Sequence, residues 1–222
     1  MPVLAGKKLF LAEELESAMM VTAGVLAVQG DVSEHALAIE RAAATHGLET
    51  DVQPIHTSGI VPDCDVLCLP GGESTTISRL VHREGIADEL VAHAEANRPI
   101  LATCAGLILV SADSGDGRVD TLGVLDVDVK RNAFGRQRDS FETPLPVAGL
   151  DKPFPAVFIR APAIETVGDG VEVLAKWDDR PVAVRQGPLV GTAFHPELTA
   201  DSRIHDLAFF DDGGIRGSGT LG

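Results

Sequence analysis

Cysteine is scarce in this chain, with three in 222 residues. That is too few for a disulfide scaffold and points to a reducing cytoplasm. Cys64 and Cys68 stand four apart with no second ligand pair, which argues against zinc. No apolar run approaches the roughly 20 residues of a membrane helix. The four apolar residues after Lys7 and Lys8 are too few for a signal peptide. Lysine is rare as well, five against 13 arginines, and bases fall far short of acids: 18 against 33, a formal net charge of −15. Such a surface repels nucleic acid and anionic membranes, so neither is an expected partner. It suits a protein kept soluble in concentrated salt, where repulsion between carboxylates is screened. Internal repeats are absent.

What is present is enough for one domain, since a chain this long buries about 70% or more of its unfolded surface. Residues 1–20 read as an N-terminal extension, because Met19-Met20 stands directly before the first convincing strand. An upstream start or an added leader accounts for them; a short helix is the alternative. Residues 21–210 form the domain, and 211–222 have the Gly-rich composition of a disordered tail.

The first half alternates strand and helix. A strand over 23–28 leads through Gln29-Gly30-Asp31 into a helix with Ser33 as N-cap, Ala36, Ile39 and Ala43 on one face, and Gly47 as its stop. One glycine in that turn is far short of a dinucleotide fingerprint. Strands over 48–53 and 66–69 follow. Pro70-Gly-Gly-Glu-Ser-Thr-Thr76 then opens helical sequence to about residue 95, broken near Gly85. This pattern predicts an α/β fold with a mainly parallel central sheet. The second half is strand-rich: 124–130, 140–147, 156–159, 171–177, 181–185 and 189–194. The Asp179–Arg180 turn reads as a hairpin that adds a small antiparallel extension.

Two stretches suggest chemistry. Pro99-Ile-Leu-Ala-Thr-Cys-Ala-Gly-Leu-Ile-Leu-Val110 reads as a buried strand, a sharp turn at Cys104 and an apolar helix. The first turn of a helix favours a thiolate, and the small neighbours Ala102, Ala105 and Gly106 suit a tight elbow. An inert core cysteine is the alternative. Further on, a strand ends in His195-Pro196-Glu197. Pro196 biases His195 towards an extended backbone, which puts His195 and Glu197 on one face, with the carboxylate placed to orient the imidazole. A structural strand end is the alternative; a metal site lacks a third ligand.

Together, in this order, these segments resemble the class I (triad) glutamine amidotransferases, and within them the family of glutaminase subunits of pyridoxal 5′-phosphate synthase. The resemblance rests on Gly24-Val-Leu-Ala-Val-Gln-Gly30, Leu69-Pro-Gly-Gly-Glu-Ser-Thr-Thr76, Thr103-Cys-Ala-Gly-Leu-Ile-Leu109, Arg131-Asn-Ala-Phe-Gly-Arg-Gln137 with Asp139-Ser-Phe-Glu142, Phe158-Ile-Arg-Ala-Pro162 and Phe194-His-Pro-Glu-Leu-Thr199. It spans roughly residues 23–210 and implies a three-layer, flavodoxin-like fold with helices on both faces of the sheet.

It further implies hydrolysis of L-glutamine to glutamate and ammonia, with ammonia passed to a synthase subunit in a large hetero-oligomer, and no metal or cofactor. Position by position, Cys104 becomes the nucleophile, His195 the general base and then acid, and Glu197 the orienting carboxylate. The oxyanion donors become the N–H groups of Gly72 and Ala105. Gly72, Glu73, Ser74, Arg131, Ile159 and Arg160 match the glutamine-binding positions. Without the resemblance, Arg131 and Arg160 read as surface ion-pair residues.

The chain departs from the family where Ala102 replaces the usual glycine, where the last helix is cut short near 202–210, and in its N-terminal leader. Other acceptors for the ammonia, or a silent binding protein of this fold, are the competing readings. The 131–137 and 158–162 segments oppose the first, and the intact Cys104, His195 and Glu197 oppose the second.

Overall fold

The short apolar runs of the sequence become strands covered on both faces. Every residue of Val66–Leu69, Ile100–Thr103 and Leu189–Thr192 is buried, as expected for the middle of a parallel sheet under helices. The computed structural model describes residues 20–30, 32–131 and 140–211. The leader over 1–19, Asp31, the 132–139 part of the arginine motif and the tail over 212–222 lie outside the described residues.

In chain order the strands are β1 (Met20–Leu26), β2 (Glu49–Ile55), β3 (Val66–Leu69), β4 (Ile100–Thr103), β5 (Ser111–Asp113), β6 (Leu125–Lys130), β7 (Ser140–Leu145), β8 (Phe154–Ile159), β9 (Ala163–Val167), β10 (Glu172–Trp177), β11 (Arg180–Gln186) and β12 (Leu189–Thr192). The helices are α1 (Val32–Thr45), α2 (Ser74–Arg83), α3 (Ala87–Glu95), α4 (Ala105–Val110) and α5 (Arg203–Phe209). One seven-stranded sheet runs β10-β11-β12-β4-β3-β1-β2. Five of its strands are mutually parallel, while β11 pairs antiparallel with both β12 and β10. Cys68 of β3 meets His35 of α1 at 3.1 Å. The next residue, Leu69, faces α4, because a Cβ on Gly106 would lie 3.1 Å from its Cβ. Neighbouring residues on a strand point to opposite faces, so α1 and α4 cover opposite sides and the fold has three layers.

The parallel order β2-β1-β3-β4-β12 reverses between β1 and β3. Open α/β sheets bind ligands beyond the strand ends at such a reversal. Gln29–Gly30, Pro70–Gly72, Cys104 and His195 all follow the carboxyl ends of these strands. Beside the main sheet lie a β5-β6-β9 sheet and a β7-β8 ribbon. Phe158 of the ribbon stacks on Phe141 at 4.6 Å and meets Phe194 at 5.6 Å.

Several local expectations need correction. Ser33 is not the N-cap of α1: the helix already includes Val32, and Ser33 Oγ donates to Glu34 Oε2 at 2.8 Å. The buried face of α1 is His35, Ala38, Ile39, Ala42 and Ala43, with Ala36 only half-buried. The hairpin turn is Asp178–Asp179, at φ 51° and 60°, with Trp177 opposite Arg180. Two successive positive φ values match the right-handed twist of the flanking strands. Strands β5 and β9 were not anticipated. They are short and weakly patterned, and their pairing with β6 makes them strands.

Candidate functional site

Cys104 joins β4 to α4 at φ 50° and ψ −102°, a conformation costly for a residue with a Cβ. Surrounding contacts hold it there. Its N–H donates to the Thr192 carbonyl of β12 at 2.8 Å. Gly106, one turn position on, lies against β3 so closely that a methyl there would come within 2.0 Å of the Leu69 carbonyl oxygen. The elbow is therefore kept with Ala102 in place of the usual glycine; Ala102 is fully buried in β4. Ala105 is the first residue of α4, so its N–H has no partner inside the helix.

His195 reaches the same point from β12. Its N–H donates to Val157 of β8 at 2.8 Å, and its backbone is extended at φ −104° and ψ 90°. The strand itself ends at Thr192, and Glu197 lies in a 3₁₀ turn, Pro196–Leu198. The turn begun at Pro196, rather than strand alternation, thus brings the carboxylate round to the ring. His195 Nδ1 and Glu197 Oε1 are 2.7 Å apart, which leaves Nε2 for the thiol. Gly71 stands between the two arms: a Cβ there would lie 2.5 Å from His195 Cε1 and 3.4 Å from Cys104 Cβ.

Burial acts to depress the His195 pKa, but hydrogen bonding to Cys104 and Glu197 outweighs it and carries the value up to about 10. Burial acts to raise Glu197, yet its bond with His195 holds it below the usual carboxylate value. The imidazole is thus poised as an imidazolium beside a sulfur and a carboxylate, an arrangement suited to an activated thiol nucleophile.

The Gly-Gly turn forms the facing wall. Gly72 has φ 147°, and the Gly71 carbonyl points at Gly30, where a Cβ would sit 2.3 Å from the oxygen. In a trans peptide the Gly72 N–H therefore points away from Gly30. Glu73 caps α2, accepting from Thr75 N at 3.2 Å and Thr76 N at 2.7 Å. The Thr75 and Thr76 hydroxyls also donate to it, and these bonds bring its pKa down to about 2. Ser74 Oγ is buried without a hydrogen-bond partner among the described residues. Arg131 comes to this wall, 3.0 Å from Glu73 and 2.8 Å from Asp116. Ile159 ends β8 two residues beyond Val157, and exposed Arg160 follows at φ 42°. Gly72, Glu73, Ser74, Cys104, Ala105, His195 and Glu197 thus follow the ends of main-sheet strands, Arg131 follows β6 of the small sheet, and Ile159 and Arg160 end or follow β8, whose Val157 bonds to His195.

Asp116 and His35 were missed. Asp116 lies in an irregular Gly-rich loop with no motif to single it out. His35 stood beside the predicted apolar face of α1, and only the buried carboxylate behind it gives it meaning. Among the described residues, His35, Cys68 and His205 bring their ligand atoms within 4.8 Å of one another. Two of their separations, 3.0 and 3.1 Å, are hydrogen-bond distances. Both are shorter than the roughly 3.3–3.6 Å edges of a tetrahedral zinc site with these ligands. No described helix is long and apolar enough to cross a membrane.

The profile of the SNO glutamine amidotransferase family matches residues 25–211. Pyridoxal 5′-phosphate synthase subunit PdxT of Haloarcula marismortui is 72% identical over 193 residues, covering 87% of this chain and 98% of that protein. The subunit of the same name from Methanocella arvoryzae is 55% identical over 187 residues, covering 82% and 92%. A solved structure described as a glutamine amidotransferase superposes with a TM-score of 0.74 at 43% identity, covering 84% of this chain and 96% of that one. This chain belongs to the SNO glutamine amidotransferase family.

Proposed function

We propose that the chain hydrolyses L-glutamine and supplies the ammonia to a pyridoxal 5′-phosphate synthase subunit in a hetero-oligomer, with Cys104, His195 and Glu197 as its triad. With its proton taken up by His195, the Cys104 sulfur attacks the side-chain amide carbon, forming a C–S bond and a tetrahedral oxyanion. The N–H groups of Ala105 and Gly72 receive that oxyanion; losing one such donor typically costs on the order of 10²–10³ in rate. His195 gives its proton to the leaving nitrogen, the C–N bond breaks, and ammonia departs from a thioester. Water then attacks, His195 takes its proton, the C–S bond breaks, and glutamate leaves. Gly72, Glu73, Ser74, Arg131, Ile159 and Arg160 bind the zwitterionic substrate, whose carboxylate and ammonium need opposite charges.

The observation that carries this reading is the convergence of the Cys104 elbow with an imidazole 2.7 Å from a buried carboxylate, in a chain of this family. The names of the curated relatives supply the acceptor subunit. The Gly71–Gly72 peptide is a two-state element that docking of the synthase biases, so hydrolysis is slow alone and faster in the complex. The test is mass spectrometry after reaction with a glutamine-analogue electrophile, with and without the synthase subunit. Labelling at Cys104, faster in the complex, is the expected result. Labelling elsewhere, or an equal rate in both states, contradicts it.

A further inference from the structure

Glu197 uses one carboxylate oxygen on His195. Its other oxygen, Oε2, is buried and has no hydrogen bond among the described residues. The group that faces it is His35 Nε2 of α1, 3.4 Å away, and both side chains are fully buried. His35 Nδ1 in turn sits 3.0 Å from His205 Nε2 of α5 and 3.1 Å from Cys68 Sγ of β3. Thr103 Oγ1, one residue before the elbow, lies 3.4 Å from His35 Nε2.

The contact with Glu197 sets the tautomer, since Thr103 Oγ1 can donate or accept at Nε2 and the partners of Nδ1 fit either form. A lone pair on Nε2 would face a carboxylate oxygen across 3.4 Å, which is repulsive, so Nε2 carries the proton. Nδ1 then accepts from the Cys68 thiol or from His205. Burial holds both histidines neutral, with pKa values brought down to about 3. Burial also holds Cys68 as a thiol, well above its usual pKa.

We propose that His35 is a positioning residue for the reaction, holding the far oxygen of Glu197 so that the near oxygen stays aimed at His195. This role rests on the triad reading above. A neutral donor serves better here than a cation, because it steadies the carboxylate without competing with the His195 imidazolium for its charge. The titratable and charged groups around His35 are Glu197, His195, His205 and Cys68, with Arg41 acting on His205.

The test separates reach from bulk. In His35→Gln the side-chain amide extends to about where Nε2 stands, whereas in His35→Asn it stops near Nδ1. Glutamate release by the full chain with its synthase subunit should fall about 10- to 100-fold in kcat for His35→Leu and His35→Asn, the range for leaving a buried carboxylate oxygen without its polar neighbour. KM for glutamine should hold within about threefold, and His35→Gln should recover most of the rate. The acid limb of the kcat profile should move to higher pH in His35→Leu, because the unsupported carboxylate is easier to protonate. In a Glu197→Gln background His35→Leu should cost less than about threefold more. Equal rates for the Gln and Asn variants, or losses that multiply in the double variant, would overturn the assignment. If Glu197→Gln itself kept full turnover, the triad reading would fall and this one with it. Thermal unfolding of each variant, with Gln and Asn compared at matched stability, removes folding as a cause.

Discussion

A methyl group added to Gly106 would stand 2.0 Å from the carbonyl oxygen of Leu69. Both atoms belong to backbone held in place, Leu69 by pairing with β4 and Gly106 by the fully buried helix α4. Gly106→Ala therefore has to lift α4 off β3 and carry Cys104 with it. The expected cost is about 1–3 kcal/mol of stability, with turnover down more than about tenfold. Urea unfolding and glutamate release measure the two. Gly117→Ala, where a Cβ meets nothing within 4 Å, is the control and should change neither.

The pH dependence of the site follows from His195. Its pKa is raised from 6.5 to about 10, so the imidazolium persists as pH rises past 7 and is lost only near 10. The basic limb of glutaminase activity should lie in that region. Glu197→Gln removes one of the groups that raises it, so the limb should move towards neutral and the variant should lose more activity at pH 9 than at pH 7. A profile whose limb stays in place contradicts this.

Acid stability is set by histidines of the opposite kind. His35 and His205 are buried and neutral, with folded values of about 3 against 6.5 when free. The unfolded chain binds their protons first, so each contributes stability that is full above pH 6.5 and lost as pH falls towards 3. Each ionisation removes about 1.4 kcal/mol per pH unit in that window. Urea midpoints at pH 7, 6 and 5 should fall progressively, and His205→Leu should flatten the slope.

Arg131 is the cation shared between Glu73 and Asp116, at 3.0 and 2.8 Å. Arg131→Ala should raise KM about 10- to 100-fold, as for a lost charge-assisted hydrogen bond to the glutamine carboxylate. The change in kcat should stay within about threefold. Arg131→Lys should not restore KM, because an ammonium lacks the planar fork. Initial rates against glutamine concentration decide it.

The surface predicts a salt response. With a net charge of −15, repulsion among carboxylates destabilises the folded state in dilute buffer. Thermal unfolding in multimolar potassium chloride should occur at a markedly higher temperature than in 0.05 M salt. Equal midpoints would end the halophilic reading.

The strands and their order of appearance were legible because buried parallel strands leave short apolar runs, as in 66–69, 100–103 and 189–192. The elbow was legible because a tight turn admits only small neighbours, and Ala102, Ala105 and Gly106 are small. The His195–Glu197 pair was legible as a pair, but the means of its approach was not. Strand alternation pointed to one mechanism and a 3₁₀ turn begun at Pro196 supplied another. Weakly patterned β5 and β9 left no periodic signal, since each is a strand only through its pairing with β6.

By itself the sequence determined which segments would be buried, where the turn residues fell, and the sign of the surface charge, since each depends on side chains close together in the chain. Only the tertiary structure decided that α1 would bring His35 behind Glu197, 162 positions later, and that the loop at Asp116 would meet Arg131. Such meetings depend on how helices cross the sheet, and nothing in local periodicity encodes the distance between residues that different layers bring together.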